Sequence, residues 1–160
     1  MKRFLIIMAA ALTLASCSDA SRDPVIKDYR IHQVGGFSFG LDGVTADVKL
    51  DLDIENPSNA KYTLEALEAT LFPANDTAGF AFVSLKETAF IAPKTSETVT
   101  IPLGVRLMKP LTLLGGSLNG DLSDYVADID LVVRKGALKK RIRKERMPLE
   151  KIGGLLGTSN

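Results

Sequence analysis

Alternating apolar and polar residues predict a succession of short β-strands along most of the chain. The clearest is Ala46–Ile54, where apolar side chains occupy every second position and Asp or Lys the positions between them. A period of two places one face of a strand in a core and the other face in water. This strand is expected to end at Asn56-Pro57-Ser58-Asn59, because proline removes a backbone donor and its polar neighbours favour a turn.

The same alternation predicts a second strand, Tyr62–Leu71, with one irregularity. Its apolar residues keep the period only after a one-residue shift at Ala66, which indicates a β-bulge. The helix formers around Glu65 offer a helical alternative, but the apolar spacing follows two better than 3.6. The other predicted strands are Tyr29–Phe39 (interrupted by Gly35-Gly36), Phe80–Leu85, Glu87–Ile91, Thr98–Val105, Tyr125–Arg134 and Ala137–Leu149.

These elements predict an all-β fold, an antiparallel β-sandwich of seven or eight strands. At most one short helix is expected, around Pro110–Leu114, because proline is tolerated in a first helical turn. Pro102 predicts a sheet edge or the end of regular pairing. Lys135-Gly136 predicts the turn of the last hairpin.

The first 16 residues have the pattern of a secretory signal peptide. A Lys2-Arg3 pair precedes the apolar run Phe4–Leu14, which is too short to span a bilayer. The next residues complete Leu14-Ala15-Ser16-Cys17, which resembles the lipobox of bacterial lipoproteins. That resemblance implies cleavage before Cys17 and attachment of a diacylglycerol to its thiol. The alternative is an ordinary signal peptide with a chance cysteine.

Cys17 is the only cysteine of the 160-residue chain, so no intramolecular disulfide can form. The lipoprotein sorting pattern retains proteins in the inner membrane when Asp follows the cysteine directly, whereas here Ser18 comes first. The resemblance therefore implies a lipid-anchored protein of the outer membrane, periplasmic or surface-exposed. The predicted organisation is a signal peptide at 1–16, a tether at 17–24, a β-sandwich domain at 25–150 and a flexible tail at 151–160.

Three segments in a fixed order resemble the group 2 late-embryogenesis-abundant family (LEA type 2, the family with the water-stress and hypersensitive-response domain). They are Leu50–Pro57, Tyr62–Leu67 and Pro93–Val105. The resemblance covers roughly residues 25–150 and implies a folded immunoglobulin-like or fibronectin-III-like β-sandwich without catalytic residues. The chain departs from the family pattern after Pro57, where Ser58-Asn59 follows instead of the Asn or aromatic residue that often comes directly after Asn-Pro.

Charge is distributed unevenly along the chain. Residues 17–133 hold 9 Lys/Arg and 17 Asp/Glu, whereas residues 134–151 hold 9 Lys/Arg and 2 Asp/Glu. Three interpretations of this basic run are an edge strand protected by charge and paired with the acidic strand Asp124–Asp130, a patch for anionic lipid headgroups, or a docking surface for an acidic envelope protein. Nucleic acid is not expected, because stacking aromatic residues are absent nearby. The candidate residues of this surface are Lys139, Lys140, Arg141, Arg143, Lys144 and Arg146.

Candidate chemistry is sparse. The only imidazole, His32, lies in a predicted strand and is interpreted as structural, so no catalytic residue is expected. Asp47, Asp51 and Asp53 are interpreted as the wet face of a sheet rather than a pair flanking a glycosidic bond. Asn119–Asp124 could hold calcium but is interpreted as a solvated turn, so no metal or cofactor is expected.

The sequence thus predicts a non-enzymatic, lipid-anchored protein of the cell envelope, which contacts the membrane through its anchor and has a protective, stress-related or binding role. Two alternatives stay open. In the first, the protein is an accessory docking subunit of an outer-membrane complex. In the second, it binds a small apolar ligand between the sheets.

Overall fold

Eight antiparallel strands form the protein in a computed structural model that describes residues 23–108 and 124–149. The predicted all-β antiparallel class is confirmed. The strands are β1 (Val25–Gly40), β2 (Gly43–Asn56), β3 (Tyr62–Pro73), β4 (Ala81–Leu85), β5 (Ala89–Ile91), β6 (Thr95–Leu107), β7 (Tyr125–Lys135) and β8 (Leu138–Pro148). The signal peptide, most of the tether, the C-terminal tail and the candidate helix around Pro110–Leu114 lie outside the described residues. Residues 23–108 and 124–149 contain no helix of the length and hydropathy needed to cross a membrane.

All eight strands belong to one open sheet with the order β1-β2-β6-β4-β3-β7-β8, and β5 pairs with β3. A sandwich was expected to have two separate sheets. The short strand β4 joins them, because Val83 pairs with Val105 of β6 on one side and with Ala69 of β3 on the other. The hydrogen-bond ladder therefore runs without a break from β1 to β8.

The core contains residues from both halves of this sheet. Leu50, Leu52 and Leu103 come from the β1-β2-β6 half, whereas Leu71 and Leu131 come from the β3-β7-β8 half. All five are buried in one contiguous hydrophobic cluster. The two halves therefore cover each other's apolar faces, as the layers of a sandwich do.

The predicted bulge in the second strand is confirmed. Leu64 pairs with Val133 and Ala66 pairs with Val132, so Glu65 is the extra residue and has no partner of its own in the β7 ladder. The helical alternative for this segment is wrong. The extra residue lets Leu64 and Leu67 both point into the core although three positions separate them.

Pro102 lies at the place where β4 stops pairing with β6. Lys86 donates its backbone N–H to the Pro102 carbonyl at 2.9 Å, so the carbonyl of Pro102 points to the β4 side. Because the amide and carbonyl of a residue in an antiparallel strand point to the same neighbour, the missing donor faces the end of β4 and not β2. Pairing with β2 continues through Lys49 and Pro102.

Candidate functional site

The predicted basic strand, β8, is an edge strand of the sheet, and its outward-facing arginines bind a carboxylate of β7. Arg141 donates to both oxygens of Asp130, from Nε at 2.8 Å and from Nη2 at 2.5 Å. Arg143 adds a third hydrogen bond from Nε at 2.9 Å. A single aspartate thus holds two of the six predicted cations, in the bidentate geometry that favours arginine.

The bulge residue Glu65 binds a further cation of the predicted surface. Its carboxylate accepts Arg134 Nε at 2.5 Å and lies 2.8 Å from Lys139 Nζ. Three of the six candidate residues, Lys139, Arg141 and Arg143, are therefore engaged within the molecule, and their charges are partly neutralised there.

Lys140 and Lys144 lie on the other face of β8. They flank Ile142, which is buried, and they pair across the ladder with Val133 and Ile129 of the core. Both lysines are exposed, and neither forms an ion pair within residues 23–108 and 124–149. Lysines that point inward on an edge strand prevent another strand from adding to the sheet, because pairing would bury their charge.

Replacing Lys140 and Lys144 together by valine is expected to make the protein aggregate. The change would leave an apolar edge strand with free backbone donors and acceptors. Light scattering during incubation at fixed concentration measures the effect. The matched control replaces Lys49, which lies on β2 inside the sheet, by valine and should leave the protein monomeric; a soluble double variant would contradict the assignment.

The Arg141 and Arg143 hydrogen bonds lower the pKa of Asp130 from 3.8 to about 2, and the charges of the same arginines act in the same direction against partial burial. Since the pKa is lower in the folded state, the stabilisation is complete above the ordinary value. It is lost as the pH falls from about 4 to about 2.

Asp130→Asn is therefore expected to lower the free energy of unfolding at neutral pH by roughly 1 kcal/mol, the upper end for exposed ion pairs. The difference from the wild type should shrink progressively between pH 4 and pH 2. Urea unfolding at a series of pH values measures both effects. Asp42→Asn, an exposed position in the β1–β2 turn, is the control; a difference that persists unchanged at pH 2 would refute the role of the ion pair.

Arg146, the last of the six candidate residues, joins β8 to the β3–β4 connection. It adopts a positive φ of 48° at a register shift, and its backbone N–H donates to Asp128 Oδ1 at 2.7 Å. Its guanidinium donates to the carbonyls of Ala74, at 2.8 Å, and Asp76, at 3.1 Å. These contacts indicate a structural role for this side chain.

His32 and Asp51 form the most chemically suggestive contact of the molecule. His32 is the extra residue of a register shift in β1, and its Nδ1 lies 3.0 Å from Asp51 Oδ2. Thr100 donates to the other oxygen at 2.6 Å, and Arg30 Nε lies 3.4 Å from Oδ2. The hydrogen bond from Thr100, aided by His32 and Arg30, lowers the pKa of Asp51 against the opposing effect of burial.

The expectation that Asp51 lies on a wet face is wrong, because Arg30, His32 and Thr100 cover its carboxylate and leave it buried. Asp47 does lie in water, where it binds Lys86 at 2.7 Å, and Asp53 is half-buried. No group of three or more His, Cys, Asp or Glu suited to a metal occurs in the described part of the chain. The calcium candidate Asn119–Asp124 lies outside that part except for Asp124.

Asn56, the residue before Pro57, is buried at 1% exposure and uses its whole amide group. Its Nδ2 donates to the carbonyls of Ala60, at 2.9 Å, and Ala92, at 2.8 Å. Its Oδ1 accepts the backbone N–H of Ser58 at 3.1 Å and the Ser58 hydroxyl at 2.8 Å. The Asn-Pro-Ser turn is therefore a closed polar network that also binds the segment after β5.

Asp23 is the first described residue, and its side chain packs against the domain. The Tyr62 hydroxyl donates to Oδ1 at 2.9 Å, and Lys135 Nζ lies 3.4 Å from the same oxygen. Burial raises the pKa of Tyr62, so the phenol stays protonated and donates. The other oxygen, Oδ2, is buried without a partner among the described residues. Sequence reasoning assigned Asp23 to the tether and missed this contact.

Comparisons with known proteins give weak structural similarities and no match in sequence. The sequence matches no protein-family model and no curated protein. A crystal structure of a protein from Archaeoglobus fulgidus is similar with a TM-score of 0.41 and 11% identity, over 72% of this chain and 91% of that one. The solution structure of a putative late embryogenesis abundant protein is similar with a TM-score of 0.35 and 15% identity, over 91% of this chain and 84% of that one.

Proposed function

We propose that the protein is a lipid-anchored, non-enzymatic component of the cell envelope that acts by binding through its surfaces. The observation that carries this proposal is a contact with the domain close to the lipobox cysteine. Asp23 already contacts Tyr62 and Lys135, six residues after the lipobox cysteine. Cleavage before Cys17 would thus remove only the signal and leave the described domain intact, at the end of a short acylated tether.

The contacts of His32 support a role without catalysis. Its Nδ1 lies at hydrogen-bond distance from the Asp51 carboxylate, as in the His–Asp pair of an acyl-transfer triad. Such a triad also needs a hydroxyl or thiol at Nε2. The hydroxyl in this cluster, that of Thr100, donates to Asp51 instead. The cluster therefore serves to neutralise a buried carboxylate on the outer face of β2.

The protective role follows from the resemblance to LEA type 2 proteins and is the leading form of this proposal. Two measurements test it. Cys17→Ser should move the protein from the membrane fraction to the soluble envelope fraction, and the purified mature domain should preserve a test enzyme through drying or freezing better than an equal mass of an unrelated β-sheet protein. Retention of the Cys17→Ser protein in membranes washed with concentrated salt would contradict the anchor, because such a wash releases a protein held by surface charge alone. Equal survival of the enzyme with both proteins would contradict the protective role.

One observation favours the second candidate, an accessory docking subunit of an outer-membrane complex. The β1–β2 hairpin exposes three large apolar side chains, Phe37, Phe39 and Leu41. Exposed apolar groups clustered on one hairpin are typical of a protein contact. Pull-down with the wild-type chain should then yield a stoichiometric partner that Phe39→Ser with Leu41→Ser loses; equal yields from both would exclude docking through this hairpin.

A further inference from the structure

The two ends of the molecule differ in charge. We call residues 23–27, 55–65, 89–97 and 134–140 the basic end, because they lie together at the end of the sheet where β1 starts and β2 stops. They contain seven Lys/Arg and four Asp/Glu. The opposite end, formed by residues 37–45, 73–82, 105–108, 124–128 and 145–148, contains two Lys/Arg and five Asp/Glu.

Three lysines of the basic end remain available to a partner. Its carboxylates are engaged: Asp23 with Lys135, Glu55 with Lys27, Glu65 with Arg134 and Lys139, and Glu97 with the Ala92 backbone N–H. Lys61, Lys94 and Lys140 form no ion pair within the described residues. Lys61 Nζ lies 4.2 Å from the centre of the Phe90 ring.

Two large apolar side chains stand in water among these lysines. Phe90 of β5 is 52% exposed and Leu138, beside the β7–β8 turn, is 75% exposed. They occupy strands on either side of the β3 and β7 ends, since Tyr62 pairs with both Ile91 and Lys135. Protein surfaces that enter the headgroup region of a bilayer combine exposed apolar side chains with nearby lysines in this way.

The chain itself holds this end close to the anchor. Five residues lie between Cys17 and Asp23, so the domain can stand at most about 20 Å from the acylated cysteine. The 14 residues of β2 span roughly 46 Å, so the basic end is much closer to the anchor than the β1–β2 hairpin is.

We propose that the basic end is the membrane-facing surface of the protein, with Phe90 and Leu138 at the headgroup level of an anionic phospholipid bilayer and Lys61, Lys94 and Lys140 on its phosphates. This inference rests on the proposed acylation of Cys17. It directs the β1–β2 hairpin away from the membrane, where a partner can reach it.

The absence of tryptophan from the chain allows a direct test. Phe90→Trp and the matched control Phe39→Trp each place a single tryptophan at one end of the molecule, and it can be excited selectively beside the three tyrosines. The protein is acylated and bound to vesicles of phosphatidylcholine and phosphatidylglycerol. The tryptophan emission of the Phe90→Trp variant should then shift to shorter wavelength and be quenched by lipids brominated in the acyl chain. Phe39→Trp should stay solvated and unquenched.

Equal quenching of both reporters, or of Phe39→Trp alone, would overturn the orientation. So would a solvated Phe90→Trp in protein whose acylation is verified by mass and whose flotation with vesicles is complete. Absence of acylation would instead defeat the proposed function, and the orientation with it, so the two failures are distinguishable.

The three lysines can be tested in the mature Cys17→Ser chain. Replacing Lys61, Lys94 and Lys140 by Gln should weaken binding to phosphatidylglycerol vesicles roughly 10- to 100-fold, since each basic residue near such a surface contributes substantially. The control replaces Lys49, Arg106 and Lys144 by Gln, which removes the same charge elsewhere. Equal losses in the two variants would show a nonspecific charge effect and refute the surface.

Discussion

Asn56→Ala is expected to lower the free energy of unfolding by about 3 kcal/mol, because the substitution removes the four hydrogen bonds of a buried amide group. The carbonyls of Ala60 and Ala92 would each lose a donor, and the backbone N–H of Ser58 would lose its acceptor. Urea unfolding followed by circular dichroism measures the change as a lower midpoint at unchanged slope.

The control for this prediction lies in the same loop. Asn59 is exposed, so Asn59→Ala should change the unfolding free energy by less than about 0.5 kcal/mol. A loss below about 1 kcal/mol for Asn56→Ala would show that water replaces the amide and that the turn does not depend on the network.

Leu131→Ala is expected to lower the unfolding free energy by about 3 to 4 kcal/mol, within the range for large-to-small changes at fully buried sites. Leu131 of β7 has no exposed surface and lies in the cluster formed by both halves of the sheet. The substitution would leave a cavity where the halves meet. Thermal or urea unfolding checks the value.

Leu138→Ala is the matched control, since the same side chain is removed seven residues away from an exposed position. We expect a change of less than about 0.5 kcal/mol there. Similar effects of the two substitutions would contradict the described arrangement, in which the β3-β7-β8 half contributes to a common core.

Local sequence patterns were enough to predict the strands, but they did not predict which distant strands pair with each other. The alternation in Ala46–Ile54, the shift near Ala66 and the turn at Lys135-Gly136 each depend on adjacent residues, and the structure has all three features. The role of β4 depends on its pairing with Val105, which lies 22 positions after Val83. Nothing in the five residues of β4 indicates that they join two layers into one sheet.

The basic run shows the same limit for the candidate site. Its composition predicted one charged surface, but burial of Ile142 divides β8 into an outer face bound to Asp130 and Glu65 and an inner face with Lys140 and Lys144. Asp51 was misjudged because the side chains that cover it come from β1 and β6. The exposed Phe90 and the buried Asp23 carried no signal in the sequence, since their surroundings form only after folding.

The mass of the N-terminal peptide of the protein isolated from bacterial membranes decides whether the domain is anchored as proposed. The expected peptide begins at Cys17 and carries a thioether-linked diacylglycerol. A peptide with an unmodified Cys17 thiol, or one that retains residues 1–16, would contradict the anchored, membrane-facing arrangement.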